Sequence, residues 1–356
     1  MIETEQLIQM SKYAGERFDL IQAGGGNSSV KLSDGTMLIK ASGVHLSDMS
    51  KTIGIAEVDN KKIVDFMDDQ SIDQLPKKKR ELLAAKAISD ATLTPDLKAS
   101  IETPLHSLLK KYTLHTHPLI VNAVTCKSNG QQLLREWFKD AVFIPYATPG
   151  IDLALSMKTI LRQCDVKGST GPQIIFLQNH GLIISSDNSE DIYTTKDQVA
   201  DIIAGKLNID LSRYKLTNVI SNMVNQFSDE LMSAYLSEDE KINSLLKADR
   251  SLFFSAPFCP DKLVYCGISA VELDILDNAE PIKKYQNEYR ALPRVIVYKN
   301  HLFFMANNIR KAMEAEEVLK FHVMVMNIAG RDVNCLSEEE VSYLSNWDAE
   351  KFRQEL

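Results

Sequence analysis

Three histidines and one glutamate are the residues of this chain whose types and spacing could do chemistry. His115 and His117 stand two residues apart in a stretch predicted to be a strand, so their imidazoles are expected on one face. His180 follows in an Asn-His-Gly turn between two apolar runs, where packing gives no reason for a histidine. Three neutral imidazoles that leave one position open are typical of a catalytic zinc site, beside which Glu102 could move protons.

The metal interpretation competes with a purely structural one. A lone histidine is more often a packed or surface residue than a ligand, and with 7 histidines in the chain a His-x-His pair can arise by chance. A glutamate shortly before the pair and a third histidine in a tight turn favour the metal site. His106 follows Glu102 by four residues, so on a helix it would either orient the carboxylate or simply pack. The remaining histidines, His45, His301 and His322, have no motif context.

Two glycine-containing turns precede the histidines. Glycines at residues 24–26 lead into Asn27 and Ser28, and they follow a predicted helix rather than a strand, so this turn is not a dinucleotide-binding fingerprint. Its backbone N–H groups, with the Asn27 amide and the Ser28 hydroxyl, could cradle an anion. Ser42 and Gly43 offer a second such turn. Either segment could be only a turn, but both together beside a metal site favour an oxyanion pocket.

The hydrophobic patterns predict a mixture of hairpins and helices without a regular βαβ repeat. Helices are predicted over residues 2–18, 77–87, 101–111, 189–208 and 309–326, and strands over residues 29–32, 37–40, 53–58, 62–64, 112–117, 173–177, 182–185, 294–298 and 302–306. This order indicates an α/β fold of three layers, α/β/α, with a largely antiparallel central sheet. The acidic segment 236–243 is the expected boundary between a zinc domain, residues 1–235, and a C-terminal α+β extension, residues 236–356.

Composition excludes several classes of protein. The 356 residues are 44% hydrophobic and carry a net charge of −8, which argues against nucleic acid as the main partner. The basic run at residues 76–80 is expected to be a solvated helix start. We expect no membrane segment, because no apolar run approaches the roughly 20 residues that a spanning helix needs. Five well-separated cysteines indicate reduced thiols in a cytoplasmic protein.

With these residues in view, the chain resembles the class II aldolase/adducin family. Five segments occur in the family's order, namely residues 24–31, 39–43, 100–106, 115–118 and 180–183, and the likeness covers roughly residues 5–210. The chain looks closest to the aldolase part of bifunctional rhamnulose-phosphate aldolase/lactaldehyde dehydrogenase proteins. A looser likeness in the tail, residues 292–297 and 336–350 with Trp347 and Glu350, points to the same group.

The resemblance implies roles for individual residues. His115, His117 and His180 become the ligands of one zinc ion per subunit, and Glu102 becomes the acid/base. The substrate phosphate is expected to be bound by Asn27, Ser42, Gly43 and Ser100, together with Gly26 and Ser28 of the glycine turn. Ile101 stands where the fuculose-phosphate branch of the family has a second serine, so one hydroxyl donor is missing.

The activity that the resemblance implies is that of a zinc-dependent aldolase in a homotetramer. Such an enzyme reversibly cleaves a 2-ketose 1-phosphate, here similar to rhamnulose 1-phosphate, to dihydroxyacetone phosphate and an aldehyde. Alternatives on the same scaffold are a sugar-phosphate 4-epimerase, a decarboxylase and a dehydratase. A different alternative is a non-catalytic, adducin-like binding module, which would have no need of the three histidines and the glutamate. Residues 236–356 are expected to be a lid or an oligomer contact.

Overall fold

The computed structural model describes residues 2–163, 173–330 and 333–346, and the chain folds into two compact units, Met1–Leu211 and Ser212–Leu356. The strands of the first unit are β1 (Asn27–Lys31), β2 (Thr36–Lys40), β3 (Ile55–Asp59), β4 (Tyr112–Thr116), β5 (Val142–Ile144), β6 (Gln173–Leu177) and β7 (Gly181–Ser186). Its helices are α1 (Ile2–Gly15), α2 (Asn60–Asp68), α3 (Lys77–Ala91), α4 (Thr103–Ser107), α5 (Leu119–Thr125), α6 (Gly130–Trp137), α7 (Ile151–Gln163) and α8 (Ser189–Leu207). Cys164, Trp347 and Glu350 lie outside the described residues.

The seven strands of the first unit form one sheet in the order β3-β2-β1-β4-β7-β6-β5. Every neighbouring pair is antiparallel except β5 and β6, which are parallel. One apolar cluster, with Leu7 of α1 and Ile192 of α8, covers one face of the sheet, and another, with Ala84 of α3 and Met157 of α7, covers the opposite face. Helices on both faces of a mainly antiparallel sheet confirm the predicted three-layer α/β fold.

Strand β1 shows how the sequence separates the two faces. Val30 belongs to the cluster under α1, and the Ser28 hydroxyl lies 2.7 Å from the hydroxyl of Ser11 on α1. Asn27 and Ser29 point the other way, because successive side chains of a strand alternate between faces. Asn27 lies opposite His115 in the pairing of β1 with β4. The second face of β1 is therefore the face on which the histidine pair begins.

Two predicted elements of the first unit were wrong. Residues 62–64 are not the second strand of a hairpin but part of α2, which begins after Asp59, whose side chain accepts a hydrogen bond from Lys62 N. The buried residues Ile63 and Met67 have helical rather than strand spacing. The helix predicted over residues 101–111 shrinks to the five residues of α4, with Glu102 at its N-cap. Pro104 suits a first turn, because it has no N–H to donate.

The second unit contains a smaller sheet. Its strands are β8 (Ser233–Leu236), β9 (Val271–Leu273), β10 (Val295–Tyr298) and β11 (His301–Ala306), in the order β8-β11-β10-β9. Its helices are α9 (Ser212–Asn225), α10 (Glu240–Ala248), α11 (Pro260–Cys266), α12 (Glu280–Tyr289), α13 (Ile309–Ala329) and α14 (Glu338–Asn346). The predicted hairpin at residues 294–306 and the helix after it are confirmed.

The division between the units falls earlier than the predicted boundary at residues 235 and 236. Strand β8 pairs with β11 and helix α9 packs in the same apolar cluster as Phe303, so both belong to the second unit. Within the part of the chain that the structure describes, no helix is long and apolar enough to cross a membrane. Cys126, Cys259, Cys266 and Cys335 are free thiols, as predicted for those four cysteines.

Candidate metal centre

The structure brings the three predicted histidines together. His115 lies in β4, His117 follows one residue past its end, and His180 sits in the turn between β6 and β7. Their ring centroids are 4.8 to 5.0 Å apart, and one ring nitrogen of each lies within 4.8 Å of those of the other two. Among the described residues, the buried Nε2 atoms of His115 and His117 have no hydrogen-bond partner. Three ring nitrogens this close together, with two of the rings carrying an unpartnered Nε2, fit a bound metal ion.

Glu102 lies directly against this group. Its Oε2 is 3.0 Å from His115 Nδ1, and its Oε1 is 3.9 Å from His180 Nε2. An ionised carboxylate can only accept, so His115 Nδ1 must carry the proton of this bond. The same bond leaves the lone pair of a neutral His115 on Nε2, which has no hydrogen-bond partner among the described residues. A carboxylate that fixes the tautomer of a ligating histidine in this way is a common feature of metal sites.

The protonation states also suit a cation. Burial lowers the pKa of His117 to about 3 and that of His180 to about 4, and the neighbouring His115 adds to both shifts. Both imidazoles are therefore neutral near pH 7, the form in which histidine binds metals. For Glu102, burial raises the pKa, but the interactions with His115, including its hydrogen bond, outweigh it and hold the pKa well below its ordinary value. The carboxyl group is consequently an anion and can accept a proton.

Glycines allow the close packing around His117. A Cβ on Gly25 would lie 2.8 Å from His117 Nδ1, nearer than real Cβ atoms come to neighbouring atoms, and 3.0 Å from His117 Cε1. A Cβ on Gly181 would lie 3.0 Å from His117 Cδ2 and would also meet the carbonyl oxygen of Thr116. The glycine-rich turn thus has a packing role at the histidines, which the sequence interpretation as an anion cradle did not include.

The predicted anion-binding residues divide into two groups. Ala41 forms a bridge with Ala99, and Ser42 N donates to Lys98 O at 2.8 Å, so the Ser42–Gly43 turn runs beside Ser100. Gly43 has a φ of +81° and open space where a side chain would be. Ser100 Oγ accepts from Glu102 N at 3.2 Å. These residues therefore belong to the surroundings of Glu102.

At the start of β1, some of the predicted anion-binding residues keep a donor on the side of the histidines and others do not. Asn27 Oδ1 accepts from Ser28 N at 2.8 Å, which leaves the NH₂ group of Asn27 to donate. Gly26, with a φ of +72°, packs so closely that a Cβ would lie 2.8 Å from His115 O. The Ser28 hydroxyl is engaged on the opposite face of the sheet by Ser11, and its N–H by Asn27. Alternation along the strand takes the Ser28 side chain away from the histidines.

Sequence reasoning missed several residues that support the centre. Ser29 Oγ lies 2.7 Å from Nδ1 of the fully buried His106, and Lys31 Nζ donates to Ser107 O at 2.8 Å. Asn122 of α5 donates to His180 O at 3.1 Å and so holds the turn that carries His180. The alternation of β1 could have revealed the first two, because Ser29 and Lys31 share the face of Asn27.

Comparisons with known proteins found several similar chains. A Bacillus subtilis (strain 168) protein described as the uncharacterized oxidoreductase YuxG is 27% identical over 199 residues, 53% of this chain and 27% of that protein. This chain thus spans only about a quarter of the length of that relative. A class II aldolase domain from Thermoplasma acidophilum aligns with 58% of this chain and 93% of its own, at 21% identity and a TM-score of 0.47. A Thermotoga maritima sugar-phosphate aldolase aligns with 58% and 95%, at 19% identity and a TM-score of 0.42.

The family itself follows from a match over more than half of the chain. The model of the class II aldolase and adducin N-terminal domain matches residues 5–201, which include all three histidines, Glu102 and both glycine turns. The predicted family is thereby confirmed: the chain belongs to the class II aldolase/adducin family.

Proposed function

We propose that the protein is a zinc-dependent lyase that reversibly cleaves a 2-ketose 1-phosphate, similar to rhamnulose 1-phosphate, to dihydroxyacetone phosphate and an aldehyde. The observation that carries the proposal is a buried carboxylate beside a cluster of three imidazoles. Glu102 contacts His115 at 3.0 Å and approaches His180 at 3.9 Å. A non-catalytic module would have no need of a buried carboxylate beside three clustered histidines.

Zinc is the ion that the donor set fits best. His115, His117 and His180 supply nitrogen ligands only, and three protein ligands with a further open position are typical of catalytic zinc. When bound there, the ion would act as a Lewis acid for the negative charge that develops on substrate oxygens during cleavage. We propose one ion per subunit.

Glu102 is the residue that would move the proton. Its Oε2 contacts His115, whereas its Oε1 is available to take a proton. The proton would come from the carbon of dihydroxyacetone phosphate that forms the new bond. Since its pKa lies below the ordinary value, Glu102 starts as the base in the direction of bond formation. In cleavage it returns the proton to the same carbon. Proton transfer of this kind contributes a factor of about 10²–10⁴ to the rate.

The phosphate would bind where donors surround Glu102. The Asn27 amide, the Ser42–Gly43 turn and Ser100 supply uncharged donors, with Gly26 shaping the start of β1. Ile101, 60% exposed, supplies no hydroxyl.

The Bacillus subtilis relative is described as an oxidoreductase, but the match covers only 27% of that protein. Our proposal for this chain follows instead from its resemblance to the aldolase part of bifunctional aldolase/dehydrogenase proteins.

Proton exchange would test the proposal without knowledge of the aldehyde. Zinc-loaded protein in D₂O should replace one proton on C3 of dihydroxyacetone phosphate stereospecifically by deuterium. NMR measures the rate at which the signal of this proton disappears. The variant Glu102→Gln should keep its zinc, measured by metal analysis, and lose exchange by a factor of about 10²–10⁴. Glu81→Gln makes the same chemical change on the exposed face of α3 and should exchange at the rate of the unmodified protein.

Two results would contradict the assignment. A Glu102→Gln variant that exchanges protons at nearly the normal rate would remove Glu102 from the acid/base role. Zinc-loaded protein without any exchange would exclude a dihydroxyacetone-phosphate aldolase, and would leave the epimerase, decarboxylase and dehydratase alternatives to be tested with their own substrates. Protein that binds no zinc would instead favour the adducin-like module.

A further inference from the structure

His106 is a buried ionisable side chain at the candidate centre that has no role in the proposed reaction. It is 0% exposed, and its Nδ1 lies 2.7 Å from Ser29 Oγ on β1. Burial lowers the pKa of His106 to about 3, so the ring is neutral. Its Nε2 has no hydrogen-bond partner among the described residues. Burying a polar ring with one atom unpaired costs free energy, which an apolar side chain would avoid.

His106 is joined to Glu102 through the short helix α4. Helix α4 has five residues, with Glu102 at its N-cap, and His106 N donates to Glu102 O at 3.0 Å. Such a short helix has little stability of its own, so its position depends on what its side chains contact. Since His106 is fixed to β1 by Ser29, the backbone of Glu102 is fixed to β1 as well.

The same strand also fixes the partner of Glu102. In the pairing of β1 with β4, Asn27 lies opposite His115 and Ser29 lies opposite Thr113. Strand β1 therefore holds His115 through the sheet and Glu102 through His106. Lys31, two residues beyond Ser29 and on the same face, donates to the carbonyl oxygens of Ser107 and Leu109 and anchors the other end of α4.

We propose that the Ser29–His106 hydrogen bond positions the Glu102 carboxylate against His115, so that His106 is a positioning residue of this centre. Its effect on catalysis rests on the proposed function, whereas its effect on the Glu102–His115 bond does not. Without the bond, α4 can shift along β1 and the 3.0 Å contact between Glu102 Oε2 and His115 Nδ1 lengthens. A carboxylate displaced by a fraction of an ångström transfers a proton more slowly.

Four variants test the role of this bond. Ser29→Ala and His106→Leu remove it, and His106→Asn keeps an amide atom where Nδ1 lies. Ser11→Ala is the matched control, because it removes a buried hydroxyl contact to the same strand from the opposite face. We expect Ser29→Ala and His106→Leu to exchange dihydroxyacetone phosphate protons about five- to tenfold more slowly at unchanged zinc content. His106→Asn should recover most of the rate, and Ser11→Ala should not change it.

A second measurement does not depend on activity. In protein labelled with ¹⁵N-histidine, the His115 Nδ1 proton, hydrogen-bonded to a carboxylate, should give a downfield resonance that His115→Gln removes. We expect Ser29→Ala and His106→Leu to move this resonance upfield and Ser11→Ala to leave it in place. An unmoved resonance in Ser29→Ala would overturn the proposal, even if His106→Leu fails to fold. If the unmodified protein exchanges no protons, the proposed function fails, and the resonance alone decides the positioning role.

Discussion

The His117 ring can approach the backbone so closely only because residues 25 and 181 carry no side chain. A Cβ on Gly25 would lie 2.8 Å from His117 Nδ1, and one on Gly181 would lie 3.0 Å from its Cδ2. His117 N also donates to Leu20 O at 2.9 Å, which holds the residue after the end of β4. The direction of the His117 ring, and hence of its unpartnered Nε2, follows from these contacts.

Gly25→Ala should therefore weaken metal binding without a strained backbone, because the φ of Gly25 is not in the left-handed region. The new methyl group has to push the His117 ring aside. Displacing a ligand through its surroundings typically costs about 10- to 100-fold in metal affinity. The zinc Kd, from competition with a chromophoric chelator, measures the effect.

Gly24→Ala is the control for this change. A Cβ on Gly24 has its nearest neighbour, His45 Cδ2, at 4.0 Å, which is an ordinary contact. We expect its zinc Kd to be that of the unmodified protein. Equal affinities for both alanine variants would show that the ring tolerates the methyl group and that Gly25 is only a turn residue.

Lys196 is the second residue whose surroundings make a measurable prediction. It is 1% exposed, with Nζ 2.6 Å from Asp197 Oδ1 and 4.7 Å from the centre of the Tyr13 ring. Burial, followed by the charge of Arg17, lowers the pKa of Lys196 to about 7, although the charge of Asp197 opposes the shift. Half-buried Asp197 thus faces two cations, since Arg17 Nη1 lies 3.6 Å from its Oδ1.

The sign of the pH effect follows from the two pKa values of Lys196. The pKa of Lys196 is about 7 in the folded protein and about 10.4 in the unfolded chain. Between these two pH values Lys196 is mostly protonated only in the unfolded chain, so the free energy of unfolding rises with pH. We expect the free energy of unfolding to increase from pH 7 to pH 9, by at most about 1.4 kcal/mol per pH unit from this group. Urea unfolding, followed by Trp137 fluorescence in a Trp347→Phe background, measures it.

Lys196→Met removes the titrating group and keeps most of the apolar stem. The free energy of unfolding should then rise less steeply with pH. Part of the rise should remain, because burial also lowers the pKa of Lys31 to about 8. Lys86→Met changes an exposed lysine paired with Asp90 and should leave the slope as it is. If Lys196→Met retains the full slope, the folded protein does not hold Lys196 at a lowered pKa.

Among the elements, β1 and α4 depend on each other. Strand β1 presents Asn27, Ser29 and Lys31 to the face of the sheet that carries the candidate centre. Lys31 satisfies the carbonyl groups at the C-terminal end of α4, which a helix of this length cannot pair internally. A lysine in this position also places a positive charge where the helix dipole is negative.

Lys31→Met should therefore destabilise the first unit by about 1–3 kcal/mol, because it leaves buried carbonyl groups without a donor. Lys111→Met, which removes a half-exposed contact to Glu3, should cost less than about 1 kcal/mol. The same fluorescence-monitored urea unfolding compares them. Equal unfolding midpoints for the two variants would mean that water replaces Lys31 at the end of α4.

The sequence predicted the elements with strong periodicity and missed what depends on contacts between them. The pair β6 and β7 around His180 and the long helix α8 were predicted within one or two residues. The sequence predicts residues 62–64 as the second strand of a hairpin, but Ile63 and Met67 share a buried helix face. Tertiary burial decided that element, and it is not visible in a short window of sequence.

The candidate site shows the same limit. The grouping of His115, His117 and His180 with Glu102 could be predicted, because these residue types at this spacing suit one metal site. Ser28 and Ser29 are chemically equivalent in the sequence, and only the register of β1 against β4 decides which one faces the site. The contact of Gly25 with His117 joins a turn to a distant strand, so no local pattern signals it. The lid or oligomer role of the C-terminal residues stays a prediction.

For the molecule as a whole, the position of the boundary decides which fragment can fold. The first unit has its own apolar clusters on both faces of its sheet. Helix α9 and strand β8 bury Ile220, Val224 and Ala234 in a cluster with Phe303 of β11. A fragment that ends at residue 235 keeps α9 and most of β8 but lacks β11, so an apolar helix face and an unpaired strand edge remain exposed.

We therefore expect residues 1–211 to fold as a soluble fragment with one cooperative urea transition and zinc bound. Residues 1–235 should carry the same fold with an exposed apolar tail, and should bind a hydrophobic dye and aggregate more readily. Circular dichroism, dye fluorescence and light scattering on the two fragments compare them directly. A longer fragment that folds cooperatively, beside a shorter one that does not, would mean that α9 is needed by the first unit. The boundary at residue 235 would then be the better division of the chain, despite the pairing of β8 with β11.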